Sequence, residues 1–153
     1  MKSIRLYLKP NEKLYLNGAV IKVDRKVSIE LLNDANFLLA NHVLQAEHAD
    51  TPLRQLYFVV QMMLMDPMSV ERPLQLFREM ASDLREAIKD ATILEGIAAV
   101  EAAVEECDYF NALKILRQIQ PVEAELLGRN EGSTATGGET LFLRRAATAT
   151  GTF

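Results

Sequence analysis

The sequence predicts an α+β fold: an N-terminal antiparallel β-meander of about five to six short strands, then a helical unit of about four helices and a flexible tail. Three observations predict it. Apolar residues recur with period two from Ile4 to Leu31, the period becomes helical after Asp50-Thr51-Pro52, and beyond Gly128 the composition collapses into Gly, Ser, Thr and Ala. The corresponding segments are residues 1–50, 51–128 and 129–153.

Ile4, Leu6 and Leu8 alternate with Arg5 and Tyr7, Leu14 and Leu16 with Lys13 and Tyr15; Ile21 and Val23 flank Lys22, and Val27, Ile29 and Leu31 alternate with Ser28 and Glu30. These read as four half-buried strands. Lys9-Pro10-Asn11-Glu12 supplies the first turn, because Pro10 fixes φ and Asn11 tolerates the left-handed region. Asn17-Gly18 predicts a type I′ hairpin turn, which needs positive φ at both positions. Asp24-Arg25 makes the next connection, Asn33 to Asn36 another, and Phe37-Leu38-Leu39 is a fifth strand, with His42 to Ala46 adding a sixth.

Asp50 or Thr51 caps a first helix with Pro52 in its first position, and Pro67 ends it near Met65. Ser69 caps a second, with Leu76, Phe77, Met80, Leu84 and Ile88 on one side. A third starts after Asp90 or Thr92 and turns Ile93, Ile97, Val100 and Val104 to a core, with Gly96 costing about 1 kcal/mol relative to alanine inside it. A fourth runs from about Asp108 to Ile119, and Pro121 kinks it or separates it from a last turn at Glu123 to Leu127. In the tail, Leu141-Phe142-Leu143 is suited to dock as an edge strand or to contact a partner.

With 153 residues, 49% of them hydrophobic and 25% charged, the chain has the size and apolar content of one small core-forming globule. One cysteine, Cys107, and a charged, alternating N-terminus point to the cytoplasm; the apolar run Leu56 to Met65 is far shorter than the roughly 20 residues of a membrane-spanning helix. No Gly-rich phosphate loop, nucleophile elbow or metal-spaced cluster is present, so neither an enzyme nor a cofactor is expected. His42 and His48 read as structural or surface residues, and the carboxylates beside Cys107 disfavour a thiolate nucleophile.

The formal net charge of -4 argues against a nucleic-acid partner until it is divided along the chain. Residues 1–31 carry seven basic against three acidic residues, a net +4, and residues 66–127 carry six against thirteen, a net -7. Alternation predicts Arg5, Tyr7, Lys13, Tyr15, Lys22 and Lys26 on the polar side of the strands, with Arg25 beside them: cations and aromatic rings suited to an RNA backbone and its unpaired bases. The competing reading is a solvated sheet face whose lysines block edge-to-edge aggregation. Met62, Met65 and Met68 form either flexible core filling or a surface for an apolar partner, and adjacent Tyr57 and Phe58 point about 100° apart, one toward the sheet and the other toward an oligomer or partner interface. The free edges of a small sheet also suit a homo-oligomer.

Leu6 to Lys26 (LYLKPNEKLYLNGAVIKVDRK), LLNDANFLL from Leu31, HVLQAE from His42 and TPLRQLYFVVQMMLMDP from Thr51 together resemble the FlbT family of flagellar biosynthesis regulators. Asn11 stands where the family's Pro-Gly-Glu turn has glycine, and asparagine tolerates the same conformation. The resemblance implies post-transcriptional control of flagellin, usually repressive, through the 5′ untranslated region of flagellin mRNA, and joint action with FlaF, a flagellin-associated regulator. It favours RNA contact over the solvated face. The alternative is a protein-interaction module for flagellin or FlaF, acting on the mRNA indirectly through the acidic helices or the methionine surface.

Overall fold

A computed structural model describes residues 3–129. Five strands come first: β1 (Ile4–Leu8), β2 (Lys13–Leu16), β3 (Ala19–Lys22), β4 (Val27–Leu31) and β5 (Phe37–Leu39). Four helices follow: α1 (Pro52–Met65), α2 (Glu71–Ala87), α3 (Ala91–Glu105) and α4 (Tyr109–Arg129). The α+β class and the antiparallel strands are as expected. The tail and its Leu141–Leu143 segment lie outside the described residues.

The strands do not follow meander order. β1 pairs with β4, from Ile4↔Leu31 to Leu8↔Val27, and β2 lies between β3 and β5 in a second sheet. The reason is how many faces each strand must cover. β1 buries only Leu6 and Leu8, on one face, whereas β2 buries Leu14 on one face and packs Tyr15 on the other. Strand β2 therefore takes the centre of a sheet covered on both sides. Leu14, Leu16, Ile21 and Phe37 meet Leu6, Leu8, Ile29 and Leu31 in a small core between the sheets. Tyr15 and Leu38, on the opposite face, meet the helical core. The three-stranded sheet is thus the middle of three layers.

Turn chemistry behaves as the sequence predicts. Asn11 has φ +65°, and Asn17 and Gly18 have φ +48° and +86°. A Cβ on Gly18 would lie 2.9 Å from Pro67 Cδ, so the hairpin tip packs against the α1–α2 connection. The expected sixth strand is absent: two 3₁₀ turns, Ala40–His42 and Ala46–His48, bracket an extended stretch, and the Leu44 backbone is satisfied by a side chain instead of a strand. Gln61 Oε1 accepts from Leu44 N at 2.8 Å and Gln61 Nε2 donates to Leu44 O at 2.9 Å.

Thr51 caps α1, accepting from Arg54 N, and Asp90 caps α3, accepting from Ile93 N. Ser69 does not cap α2. It lies in a turn with its N–H on Asp66 O, and Val70 holds the cap position without a side-chain bond. Helix α4 runs unbroken through Pro121, because buried Leu116 and Ile119 before it and Glu123 after it hold both halves in the bundle. Gly96 is buried where α3 crosses α4; a Cβ there would sit 2.8 Å from Ile119 Cγ2, so close helix approach compensates its low propensity.

Candidate nucleic-acid interface

Two turns close the same end of the β layers. Lys9 to Glu12 joins β1 to β2, Val23 to Lys26 joins β3 to β4, and they are bonded together through Asn11 N to Val23 O at 2.7 Å and Val23 N to Glu12 O at 3.4 Å. This end gathers Lys9, Lys13, Lys22, Arg25 and Lys26 against Glu12 and Asp24, a net +3. Arg25 pairs with Asp24 at 3.2 Å, whereas the four lysines make no ion pair among the described residues and are exposed. Lys13 and Lys22 are direct cross-strand partners. Counting from the two-residue turn places them at a non-hydrogen-bonded pair, where Cα atoms approach to about 4.5 Å and like charges repel.

The expected single polar face is divided between two layers. Arg5 and Tyr7 point outward from the β1–β4 ribbon, and Lys13 and Lys22 lie on the far face of the three-stranded sheet, because β1 and β2 are not neighbours. Arg5 contacts Glu30 at 3.5 Å. Tyr7 is 70% exposed, two residues before Lys9, and free to stack. Tyr15 is half-buried against the helical core, so its ring is engaged in packing.

The opposite end is an anchor. Asn36 N donates to Asn17 Oδ1, Asn36 Nδ2 to Cys107 O at 2.9 Å, and Phe110 N to Asn36 Oδ1 at 3.0 Å. One asparagine thereby ties the hairpin to the α3–α4 turn, where Phe37 and Phe110 stack with ring centroids 4.4 Å apart. Cys107 is exposed in the left-handed region, φ +57°. A cavity of about 520 Å³ at this corner is lined by Asp34, Asn36, Glu106, Cys107, Asp108 and Phe110, among others. Burial, and then hydrogen bonding to Cys107, push the Tyr109 hydroxyl up to about 12.

Of the methionine candidates, Phe58, Met62 and Met65 line an apolar groove of about 320 Å³ with Ala46, Asp66, Ser69 and Pro73, and Met68 stands 91% exposed beyond it. Tyr57 is instead a core residue. Its hydroxyl donates to His42 O at 2.6 Å and accepts from Arg117 at 3.0 Å, with burial raising its pKa despite the guanidinium. His42 is lowered by burial and then by Arg117. Sequence reasoning did not assign Glu123, a buried carboxylate whose Oε2 accepts from Leu53 N at 2.8 Å and so caps α1 from α4; burial raises its pKa against the bonds from Thr51 and Leu53. Among the described residues, no group of three His, Cys, Asp or Glu side chains is placed to hold a metal ion, and no helix is long and apolar enough to cross a membrane.

The model of the flagellar protein FlbT family matches residues 4–127. A probable flagellum biosynthesis repressor protein FlbT of Mesorhizobium japonicum is 46% identical over 129 residues, 84% of this chain and 88% of the relative. Proteins of the same description from a Chelativorans species and from Brucella anthropi are each 50% identical, over 82% of this chain and 86% and 83% of theirs. The chain belongs to the FlbT family. The FlbT match spans the basic end, the asparagine anchor, the apolar groove and Glu123 alike. These FlbT relatives are described as probable repressors of flagellum biosynthesis. No solved structure is a significant match.

Proposed function

We propose that this chain represses flagellar synthesis after transcription by binding the 5′ untranslated region of flagellin mRNA through the basic end of its β layers. The observation that carries this reading is the pair of bonded turns presenting Lys9, Lys13, Lys22 and Lys26 without carboxylate partners among the described residues, with Tyr7 exposed nearby. Lysines supply phosphate contacts, and an exposed tyrosine supplies a face for an unpaired base, worth about 1 to 3 kcal/mol per stack. The reading keeps Arg5 and Arg25 as auxiliary contacts, since each already holds a carboxylate, and drops Tyr15 as a stacking residue. The test is binding of purified protein to flagellin leader RNA beside a scrambled leader, with Lys22→Glu and Lys26→Glu. Preferential binding lost in both variants supports it; no leader preference removes the direct mechanism, and binding indifferent to both substitutions removes the site.

The apolar groove and exposed Met68 support a second contact, with a protein, for which FlaF and flagellin are the proposed partners. Co-purification surviving high salt but abolished by Met62→Glu would support it. Co-purification unaffected by Met62→Glu would remove the groove from that role.

A further inference from the structure

The groove at the end of α1 has a definite size and rim. Phe58, Met62 and Met65 stand at helical positions i, i+4 and i+7, so its apolar floor is about 10 Å long. Asp66 lines it, and Glu47 and Glu71 lie one and two residues from the lining residues Ala46 and Pro73. None of these three carboxylates forms an ion pair among the described residues; Arg72 is the one cation beside them in sequence. A short apolar run with adjoining positive charge matches this surface, because three extended residues also cover about 10 Å. Within residues 130–153 one segment has that form: Leu141-Phe142-Leu143 followed by Arg144-Arg145.

We propose that the occupant of the groove is this chain's own Leu141-Phe142-Leu143, with Arg144 and Arg145 meeting the carboxylates of the rim. The connection is long enough. Leu53 is bonded to Glu123, and α1 and α4 run antiparallel, since Tyr57 meets Arg117 farther along α1 and earlier in α4. From Leu53 to the groove is about 8 to 18 Å along α1, and from Glu123 to Arg129 about 9 Å the other way, so the gap along the bundle is about 17 to 27 Å. Residues 130–140 are eleven in number and reach about 36 Å when extended. Tethering at that length supplies an effective concentration of about millimolar, so even weak intrinsic affinity fills the groove. The docked segment covers the apolar surface in the free protein, and any protein partner that uses the groove must displace it. The family match ends at residue 127, before this segment.

The test uses the full chain labelled at its methionine methyl groups. The parent is compared with the triple variant Leu141→Glu, Phe142→Glu, Leu143→Glu and with the double variant Arg144→Glu, Arg145→Glu. Buried Met63 and Met80 report the intact helical core. The expected result is that the Met62 and Met65 resonances shift in the triple variant, shift in the same direction but less in the double variant, and keep their parent positions on tenfold dilution of the parent, while Met63 and Met80 stay in place. Unchanged Met62 and Met65 in the triple variant overturn the proposal. So does a parent spectrum that converts to the triple variant's on dilution, which would assign the groove to a second copy.

Discussion

Replacing Lys22 and Lys26 together with glutamine tests the basic end quantitatively. Both side chains are exposed and without ion pairs among the described residues, so folding stability should change by less than about 0.5 kcal/mol. If Lys9, Lys13, Lys22 and Lys26 each neutralise one phosphate of a single-stranded leader, log affinity falls against log salt with a slope of about -2.8, at roughly 0.7 per contact. Raising salt from about 50 to about 200 mM should then weaken parent binding about 50-fold. With two contacts removed the slope becomes about -1.4 and the same step costs only about 7-fold. Anisotropy titrations of labelled leader RNA at four salt concentrations measure both slopes. Equal slopes for parent and variant, whatever their absolute affinities, would refute the assignment of phosphate contacts to this end.

Three further substitutions test how the scaffold holds the site. Gln61→Ala strips the Leu44 N–H and C=O of their partners and should cost about 1 to 3 kcal/mol in urea unfolding. Gly96→Ala should destabilise by about 1 to 3 kcal/mol despite its better helix propensity, and a double-mutant cycle with Ile119→Ala should recover most of that loss. Glu123 has a folded pKa raised by burial, so its contribution to stability is complete below its ordinary value and is lost as pH rises through the folded value. Glu123→Gln removes that dependence while keeping an acceptor for Leu53 N, and the variant should gain stability relative to the parent from pH 4 to pH 7; a constant difference across that range refutes the raised pKa.

Features set by local backbone chemistry were legible in the sequence. Asn11, Asn17 and Gly18 adopt the positive φ their types allow, and Thr51 and Asp90 cap helices with their own side chains. Strand partnership was not legible, because a period of two records which face is buried and carries nothing about which strand lies alongside. Residues 43–45 show the same limit: an extended apolar stretch looks alike whether its backbone is paired by a strand or, as here, by the amide of Gln61. At the candidate site, the sequence identified the lysines but grouped them by face, whereas they are grouped by end, through two turns distant in sequence. Tyr15 departed most from expectation because an alternating aromatic ring fits a core as well as a surface. A polar residue within the apolar run of α1 was the available signal for Gln61, and no comparable signal marked Asn36 or Glu123.

The charge partition has a consequence for how a protein of net charge -4 can hold a polyanion. The basic turns and the asparagine anchor lie at opposite ends of the β2–β3 hairpin, so Lys13 and Asn17 are four residues, or about 14 Å, apart. Glu105, Glu106 and Asp108 belong to the anchored end, with Asp34 beside them. At physiological ionic strength the screening length is about 8 Å, and at 0.01 M it is about 30 Å. At physiological salt the acidic corner is therefore screened from RNA on the lysines, whereas at very low salt the RNA meets the repulsion of the whole body. A straight salt dependence above about 0.1 M that flattens near 0.01 M follows from this geometry. A plot that remained straight to the lowest salt would mean that the RNA lies farther from the acidic helices than binding at the two turns allows.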